Sequence, residues 1–376
     1  MKSLECKILS NEQYPKNTPT TTITALLALK SEWNTLVSSN PSLSFAQTFD
    51  WNYGLICHCL DKHWMIYLLY NKDKELIAIA PLLKEGRTLT FIGDQDTHAG
   101  TFNFIHSSTI QKEELDFLLY RILKDHLFSL LYLRGLNSKL SEIVYHLLMI
   151  NKDYFHESVP CYRIIIPSSE DVYKTNILSS HSRRTIKQKI NKFSKTFSDT
   201  NLVIKDNVEV LDEDIINDVF EIYAKRIIDK LGEFRYKEDY IDFLKTFIVK
   251  NSRNVFLIYI EVDGKMAAFR LGFNIQNPSY VEEIMGNHDP AFNCYGIGSI
   301  LLYYDVLEQI KIKKKVLDLG RGNKEYKLSA GAIPYDSFEF RYNYFTFTFS
   351  VLRKLIRKCM ASEKLKSFVR KVIKTK

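Results

Sequence analysis

The sequence predicts a mixed α/β protein organised as two units of moderate size. Three observations carry that expectation. A chain of 376 residues exceeds one ordinary small core. Short runs with strand periodicity alternate with amphipathic helical stretches along the chain. The pair Asp263-Gly264 between two apolar runs is a hairpin signal, because glycine tolerates positive φ. A composition 45% hydrophobic and 26% charged, with 14 Gly and 9 Pro, excludes a collagen-like, Pro-rich or largely disordered chain.

In the first half, residues 24–36 read as a helix with Trp33 and Leu36 on one face, closed by the turn at Asn40-Pro41. Strand-like runs follow at 64–70, 76–83 and 88–92, the first two separated by a polar turn over 71–75. A helix over 113–126, then a strand and helix within 130–149, complete a first unit spanning 1–160. The cysteines, Cys6, Cys57, Cys59, Cys161, Cys294 and Cys359, form neither a disulfide framework nor a CxxC pair. Cys57-His58-Cys59 is placed on a helix after Trp51 and not at zinc, which needs four converging ligands. No metal is expected.

A second unit, 161–350, opens with a β-branched strand at 162–166 that Pro167 ends. Residues 179–197 form a helix carrying six cations beside Ile186, Ile190 and Phe193. A helix over 212–230 has acids in its first turn, as the helix dipole favours. Strands at 254–261 and 265–274 form the hairpin, and 279–285 is a third strand after Asn277-Pro278. A helix over 299–310, a strand over 315–319, a short helix near Tyr326, and strands at 337–342 and 345–349 follow.

The net charge of +8 is concentrated in one segment, 351–376, which holds ten Lys and Arg against Glu363. The remainder is about neutral, so the basicity does not point to nucleic acid. Apolar residues of this tail recur at helical spacing with cations on the other face, the pattern of a helix on an anionic membrane surface. Docking on the protein's own core would explain the apolar stripe equally well. The first 17 residues lack an apolar stretch behind a basic start, and no run approaches a spanning helix. The expected location is cytoplasmic, with peripheral membrane contact through the tail.

The stretch most informative for chemistry is Asn293-Cys294-Tyr295-Gly296-Ile297-Gly298-Ser299, between a strand and an amphipathic helix. A Gly-x-Gly turn leading into a helix exposes unpaired N–H groups beside the positive end of the dipole, which makes a pyrophosphate cradle. Side chains at the two glycines would block the approach.

The order hairpin, third strand, Gly-x-Gly, helix, strand, short helix resembles the GNAT acyltransferase superfamily, whose coenzyme A loop reads Arg/Gln-x-x-Gly-x-Gly/Ala. Here Gly296 and Gly298 match, whereas Asn293 departs, shorter and uncharged. The basic run Ser182-Arg183-Arg184-Thr185-Ile186-Lys187, the loop, and Asp318-Leu319-Gly320-Arg321-Gly322 with Tyr326-Lys327 resemble the CelD-type cellulose and exopolysaccharide biosynthesis branch, itself related to FemAB transferases. The likeness spans roughly residues 161–342. It implies tandem GNAT-like domains, with acetyl-CoA or another acyl-CoA in a cleft of the second, where the strand over 279–285 parts from that over 315–319.

Acyl transfer to an amine needs a base, a polarised carbonyl and a proton for the leaving thiolate. Glu282 and Glu283 lie on the strand bordering that cleft, where alternation sends only one inward, and His288 is the other base candidate. Tyr326 is expected to protonate the thiolate. Asp318, Arg321 and Lys327 form a charged cluster that either positions an anionic or sugar acceptor or pins the turn over 320–322. Arg183 and Arg184 lie on a helix that is either a solvated face or a rim attracting such an acceptor. The resemblance implies N-acylation of an amino-sugar or glycan precursor. The alternatives are aminoacyl transfer from tRNA, as in FemAB-like proteins, and a catalytically silent scaffold.

Overall fold

The structure, a computed structural model, describes residues 4–12, 19–58, 62–94, 98–127, 129–137, 155–157, 159–274, 277–322 and 325–343. The expected tail over 351–376, the strand over 345–349 and the helix after residue 137 lie outside them. In the first half, strands β1 (Glu5–Ser10), β2 (His63–Tyr70), β3 (Leu76–Glu85), β4 (Thr88–Phe91), β5 (Ile105–His106), β6 (Leu130–Asn137) and β7 (Phe155–Glu157) accompany helices α1 (Pro19–Ala28), α2 (Lys30–Ser38), α3 (Phe49–His58) and α4 (Lys112–Asp125). Cys57 and His58 end α3, as expected.

The second half runs β8 (Cys161–Ile165), α5 (Ser180–Thr196), β9 (Thr200–Asp206), α6 (Glu213–Leu231), α7 (Glu238–Lys250), β10 (Val255–Val262), β11 (Lys265–Phe273), β12 (Tyr280–His288), α8 (Ile297–Lys311), β13 (Val316–Arg321), α9 (Glu325–Ser329), β14 (Ile333–Tyr335) and β15 (Ser337–Asn343). Local chemistry sets the boundaries. The Ser179 and Asp212 side chains accept from the first-turn N–H groups of Ser182 and Asp214, capping α5 and α6. Asp263 and Gly264 both take positive φ, 52° and 72°, as a tight hairpin requires. Two elements absent from the sequence reading, β9 and α7, show ordinary signals: Leu202-Val203-Ile204 is a short apolar run with two β-branched residues, and Phe243, Leu244, Phe247 and Ile248 recur at helical spacing and are buried.

The strands form two mixed sheets, ordered β1-β2-β3-β4-β6-β15-β7, with β5 on β3, and β14-β8-β13-β12-β11-β10-β9. The last described strand therefore belongs to the first sheet. In sequence, β8 begins four residues after β7 ends, and β15 begins two residues after β14 ends. Each pair of neighbours in sequence meets the other pair antiparallel, Phe338 opposite Glu157 in the first sheet and Tyr335 opposite Cys161 in the second. One ribbon thus crosses between the sheets. The expected division at residues 160 and 161, with everything to 350 in the second unit, is corrected accordingly: β15 pairs along its length with β6 of the first half.

The apolar core is shared as well. Trp51 of α3 packs its ring 5.3 Å from Phe243 and 5.1 Å from Phe247 of α7, and Phe45 lies 5.1 Å from Phe273 of β11. These fully or nearly fully buried rings join the first sheet's core to the α6–α7 face of the second sheet, while α5 and α8 cover the opposite face with a separate cluster. Aromatic burial of this kind contributes about 2–3 kcal/mol per side chain. A fragment beginning at Cys161 would leave β15 without β6 and α7 without α3. It is expected to lack the cooperative thermal transition of the full chain, measured by circular dichroism; a sharp two-state melt of the fragment would contradict the shared core.

Candidate active site

β12 and β13 pair in parallel only from Tyr280 opposite Val316 to Glu282 opposite Asp318. Beyond that point they part. A shift in register between β11 and β12, with Glu283 opposite Gly272 and Met285 opposite Leu271, leaves Ile284 as an extra residue that bends β12. A cleft of about 390 Å³ lies beside this distal part of β12, within the range of small-molecule sites. Its walls include His288 of β12, Gly296, Gly298 and Ser299 at the start of α8, Arg226 of α6 and Tyr326 of α9.

The Gly-x-Gly loop has the geometry the sequence predicts. Gly296, at φ +65°, caps α8 and its carbonyl accepts from Ser299 and Ile300. The N–H groups of Ile297 and Gly298 are left to the unfilled end of the helix. A Cβ on Gly298 would sit 3.1 Å from His288 Nδ1, and one on Gly296 would sit 2.9 Å from Lys189 Cε. Cations converge on this narrow backbone: Lys189 Nζ donates to Ser299 Oγ at 3.0 Å, and Lys192 Nζ donates to the Cys294 carbonyl at 3.0 Å. Ile297 is buried in the core behind the loop. Asn293 is a spacer: its Oδ1 accepts from Arg226 at 2.9 Å and faces His288 Nε2 at 2.8 Å. Burial, opposed by the Asn293 hydrogen bond and aided by the charges of Arg226 and Lys230, holds the His288 pKa below its ordinary value.

The basic helix α5 is more than a solvated face. Phe193 and Phe197 pack against Phe292 and Tyr295 of the loop, at ring separations of 5.1 to 6.1 Å, and hold the helix over it. The expected rim residues are not the ones that reach the loop. Arg183 donates to the carbonyls of Lys174, Thr175 and Leu178, stapling the preceding turn, and Arg184 is exposed.

The carboxylates divide between the two faces of the second sheet. Glu283 pairs with Arg270, whose Nε also meets Asp305 at 3.0 Å. Glu282 faces the first half, where Thr101 Oγ1 donates to it at 3.0 Å. Strand alternation puts the two on opposite faces, and each is engaged there.

Asp318 and Lys327 are 2% and 3% exposed, too enclosed to receive an acceptor. Asp318 accepts from the Tyr280 hydroxyl, from Tyr335 at 2.7 Å and from Gly320 N at 2.9 Å. Burial first and this carboxylate second raise both phenol pKa values. Lys327 Nζ donates to the carbonyls of Leu319, Gly320 and Arg321 at 2.8, 3.1 and 2.9 Å. The two residues clamp the turn after β13, and that corrects the expected catalytic and acceptor roles. Arg321 remains partly exposed, 3.9 Å from Glu339 and against Gly100.

Thr101 belongs to a segment of the first half docked by His98. The His98 ring lies between Tyr240 Oη, 2.9 Å from Nδ1, and Tyr223 Oη, 2.8 Å from Nε2, and stacks on Tyr236 and Tyr240. Nothing in the sequence pairs His98 with α6 and α7, or Thr101 with Glu282, because 125 to 181 residues separate the partners. Lys189 and Lys192 were visible as cations of a helix, though not their target.

A family model described as an acetyltransferase (GNAT) domain matches residues 180–328. No curated protein matches the chain in sequence. Among solved structures, FemX superposes with a TM-score of 0.56 at 10% identity, covering 85% of this chain and 98% of FemX. The C-terminal domain of a putative lysylphosphatidylglycerol synthetase from Agrobacterium fabrum gives 0.54 at 8%, covering 88% and 96%. L-PGS from Bacillus licheniformis gives 0.51 at 11%, covering 86% and 92%. At such identities the likeness is one of fold: mixed α/β with two mixed sheets and a GNAT-type domain in the second half. No helix among the described residues is long and apolar enough to cross a membrane.

Burial lowers the His98 pKa from 6.5 to about 4. Between those values the unfolded chain binds more protons than the folded one, so this histidine's contribution is complete above about pH 6.5 and is lost as pH falls towards 4. The loss, allowing for partial exposure, is about 2–3 kcal/mol. Denaturant unfolding at a series of pH values should show His98→Gln with a flatter acid limb than wild type; identical slopes would refute the assignment.

Proposed function

We propose that this chain is an acyl-CoA-dependent N-acyltransferase of the CelD-type branch, passing an acetyl or other acyl group directly to the amine of an amino-sugar or glycan precursor. One observation carries the reading: the narrow Gly296–Ser299 backbone, with Lys189, Lys192 and Arg226 around it, stands at a cleft beside the point where β12 and β13 part. That arrangement suits a diphosphate at the loop and an extended arm along β12. Bound acyl-CoA would supply the activated thioester.

The chain's own residues would do the rest. Glu282, on the face turned to the first half and held by Thr101, takes the proton of the attacking amine, directly or through water. The new C–N bond forms as the C–S bond breaks, and the Tyr326 hydroxyl gives its proton to the departing thiolate. Glu283 is engaged by Arg270, and His288 stands beside the loop glycines, so this reading assigns the amine's proton to Glu282. Arg321 would meet an anionic or sugar group of the acceptor. The basic segment over 351–376 would bring the enzyme to an anionic membrane where such precursors gather.

Titration calorimetry with acetyl-CoA and longer acyl-CoAs is expected to show binding by wild type and none by a folded Gly298→Trp variant. Absence of binding by wild type, with turnover of an aminoacyl-tRNA, would transfer the assignment to FemAB-like chemistry; acyl-CoA binding without turnover on any amine would favour a silent scaffold. Glu282→Gln is expected to lower kcat by about 10²–10⁴ with little change in acyl-CoA affinity. A loss confined to affinity would make Glu282 a binding residue instead.

A further inference from the structure

A short segment of the first half, residues 98–102, runs past the Glu282 carboxylate and is fixed at both ends. At one end Phe102 N donates to the Gly135 carbonyl of β6 at 3.0 Å. At the other, the His98 backbone N–H donates to Tyr240 Oη at 3.0 Å, which leaves the Tyr240 hydroxyl to donate to ring Nδ1 at 2.9 Å. That pattern assigns the tautomer with its hydrogen on Nε2, donating to Tyr223 Oη at 2.8 Å. Tyr223 is in turn hydrogen-bonded to Tyr236, whose ring stacks on the imidazole. With a partner on each nitrogen and stacked rings beside it, the imidazole has one orientation. Between the two anchors lie Ala99, Gly100 and Thr101, and Thr101 Oγ1 donates to Glu282 Oε1 at 3.0 Å.

We propose that His98 is a positioning residue for acyl transfer: docked between Tyr223 and Tyr240, it fixes the segment that aims Thr101 at Glu282, so that the first half completes the site of the second. The inference rests on the acyl-transfer reading above, in which Glu282 takes the proton of the amine. Reach is the first argument. Three residues separate the docked ring from Thr101, about 10 Å of extended chain, so a displacement at His98 meets little slack before it moves Oγ1. Electrostatics is the second. A hydroxyl that donates to a carboxylate favours the charged form, which is the form that accepts a proton. The other groups facing Glu282 are Phe273 opposite on β11, Asp318 opposite on β13 with Arg163 beyond it on β8, and Tyr280 on its own strand. Asp318 repels a second negative charge, and the Tyr280 hydroxyl is given to Asp318. Arg321, against Gly100, is shared with Glu339. The Thr101 donor therefore offsets an unfavourable neighbour. The third argument is that Trp51, Phe243 and Phe247 already join the two halves without His98. The polar docking of the histidine adds alignment to an association that the aromatic core secures.

The test is a carboxyl titration, by nuclear magnetic resonance, of the full chain labelled with glutamate carrying carbon-13 in its side-chain carboxyl. The Glu282 signal is the one missing from Glu282→Gln. Thr101→Val, which removes the hydroxyl at almost equal volume, should raise the Glu282 midpoint by about one pH unit, and Thr101→Ser should keep it within about 0.3. His98→Gln and Tyr240→Phe leave Thr101 and Glu282 themselves intact. Each should raise the midpoint by at least about half a pH unit and carry the acid limb of kcat/KM for amine acylation with it. Unchanged midpoints in these two variants, with wild-type far-ultraviolet spectra, reduce His98 to a structural contact and overturn the proposal. An unchanged midpoint in Thr101→Val overturns it as well. If His98→Gln does not fold, Tyr240→Phe, which keeps the ring, decides alone. Shifted midpoints without acyl-CoA turnover on any amine defeat the acyl-transfer reading and leave the linkage from His98 to Glu282 standing, so the two failures are distinct.

Discussion

The antiparallel ribbon made by the β7–β8 and β14–β15 segments is the constraint on which the remaining architecture depends. β7 and β15 lie in the first sheet and β8 and β14 in the second, so backbone hydrogen bonding ties the two halves together beside the shared core. The crossing lies next to the chemistry. Gly322 N donates to the Pro160 carbonyl at 3.2 Å, and Tyr335, the last residue before the crossing, bonds to Asp318. Whatever shifts the sheets relative to each other also shifts the end of β13.

From that constraint follows the division of labour among the charged residues. Several that look functional in isolation are consumed in holding the turn after β13: Asp318 anchors two phenols and a backbone amide, and Lys327 serves three carbonyls from a nearly closed position. A buried ammonium with three acceptors is a satisfied structural ion, and removing it would strand those carbonyls. The Arg270, Glu283 and Asp305 cluster does the corresponding work between β11, β12 and α8. With these groups occupied, the surfaces near the end of β13 that stay open to a ligand include the loop at α8 and the cleft beyond it.

Helix α5 shows how a basic segment acquires a specific role through packing. Its aromatic stripe fixes it on the loop, and this fixes which cations matter: Lys189 and Lys192 meet the loop, while Arg183 is used within its own approach turn. A charge count could not rank them, because all occupy one amphipathic helix.

Much of this was determined by the sequence itself. The strands and helices of the second half, the Asp263-Gly264 hairpin and the Gly296-x-Gly298 turn into a helix are local events, specified by periodicity, capping and the conformational freedom of glycine over a few neighbouring residues. So was the direction of the resemblance, since the order of those elements is itself a sequence property. What only the tertiary structure decided are the long-range partnerships: β15 returning to the first sheet, Thr101 on Glu282, His98 between Tyr223 and Tyr240, and the clamps on Asp318 and Lys327. The physical reason is that a carboxylate or ammonium carries no local mark of its partner. Whether it serves catalysis or architecture depends on which groups the folded chain brings within hydrogen-bond reach, and that is settled only when both sheets have closed around the shared core.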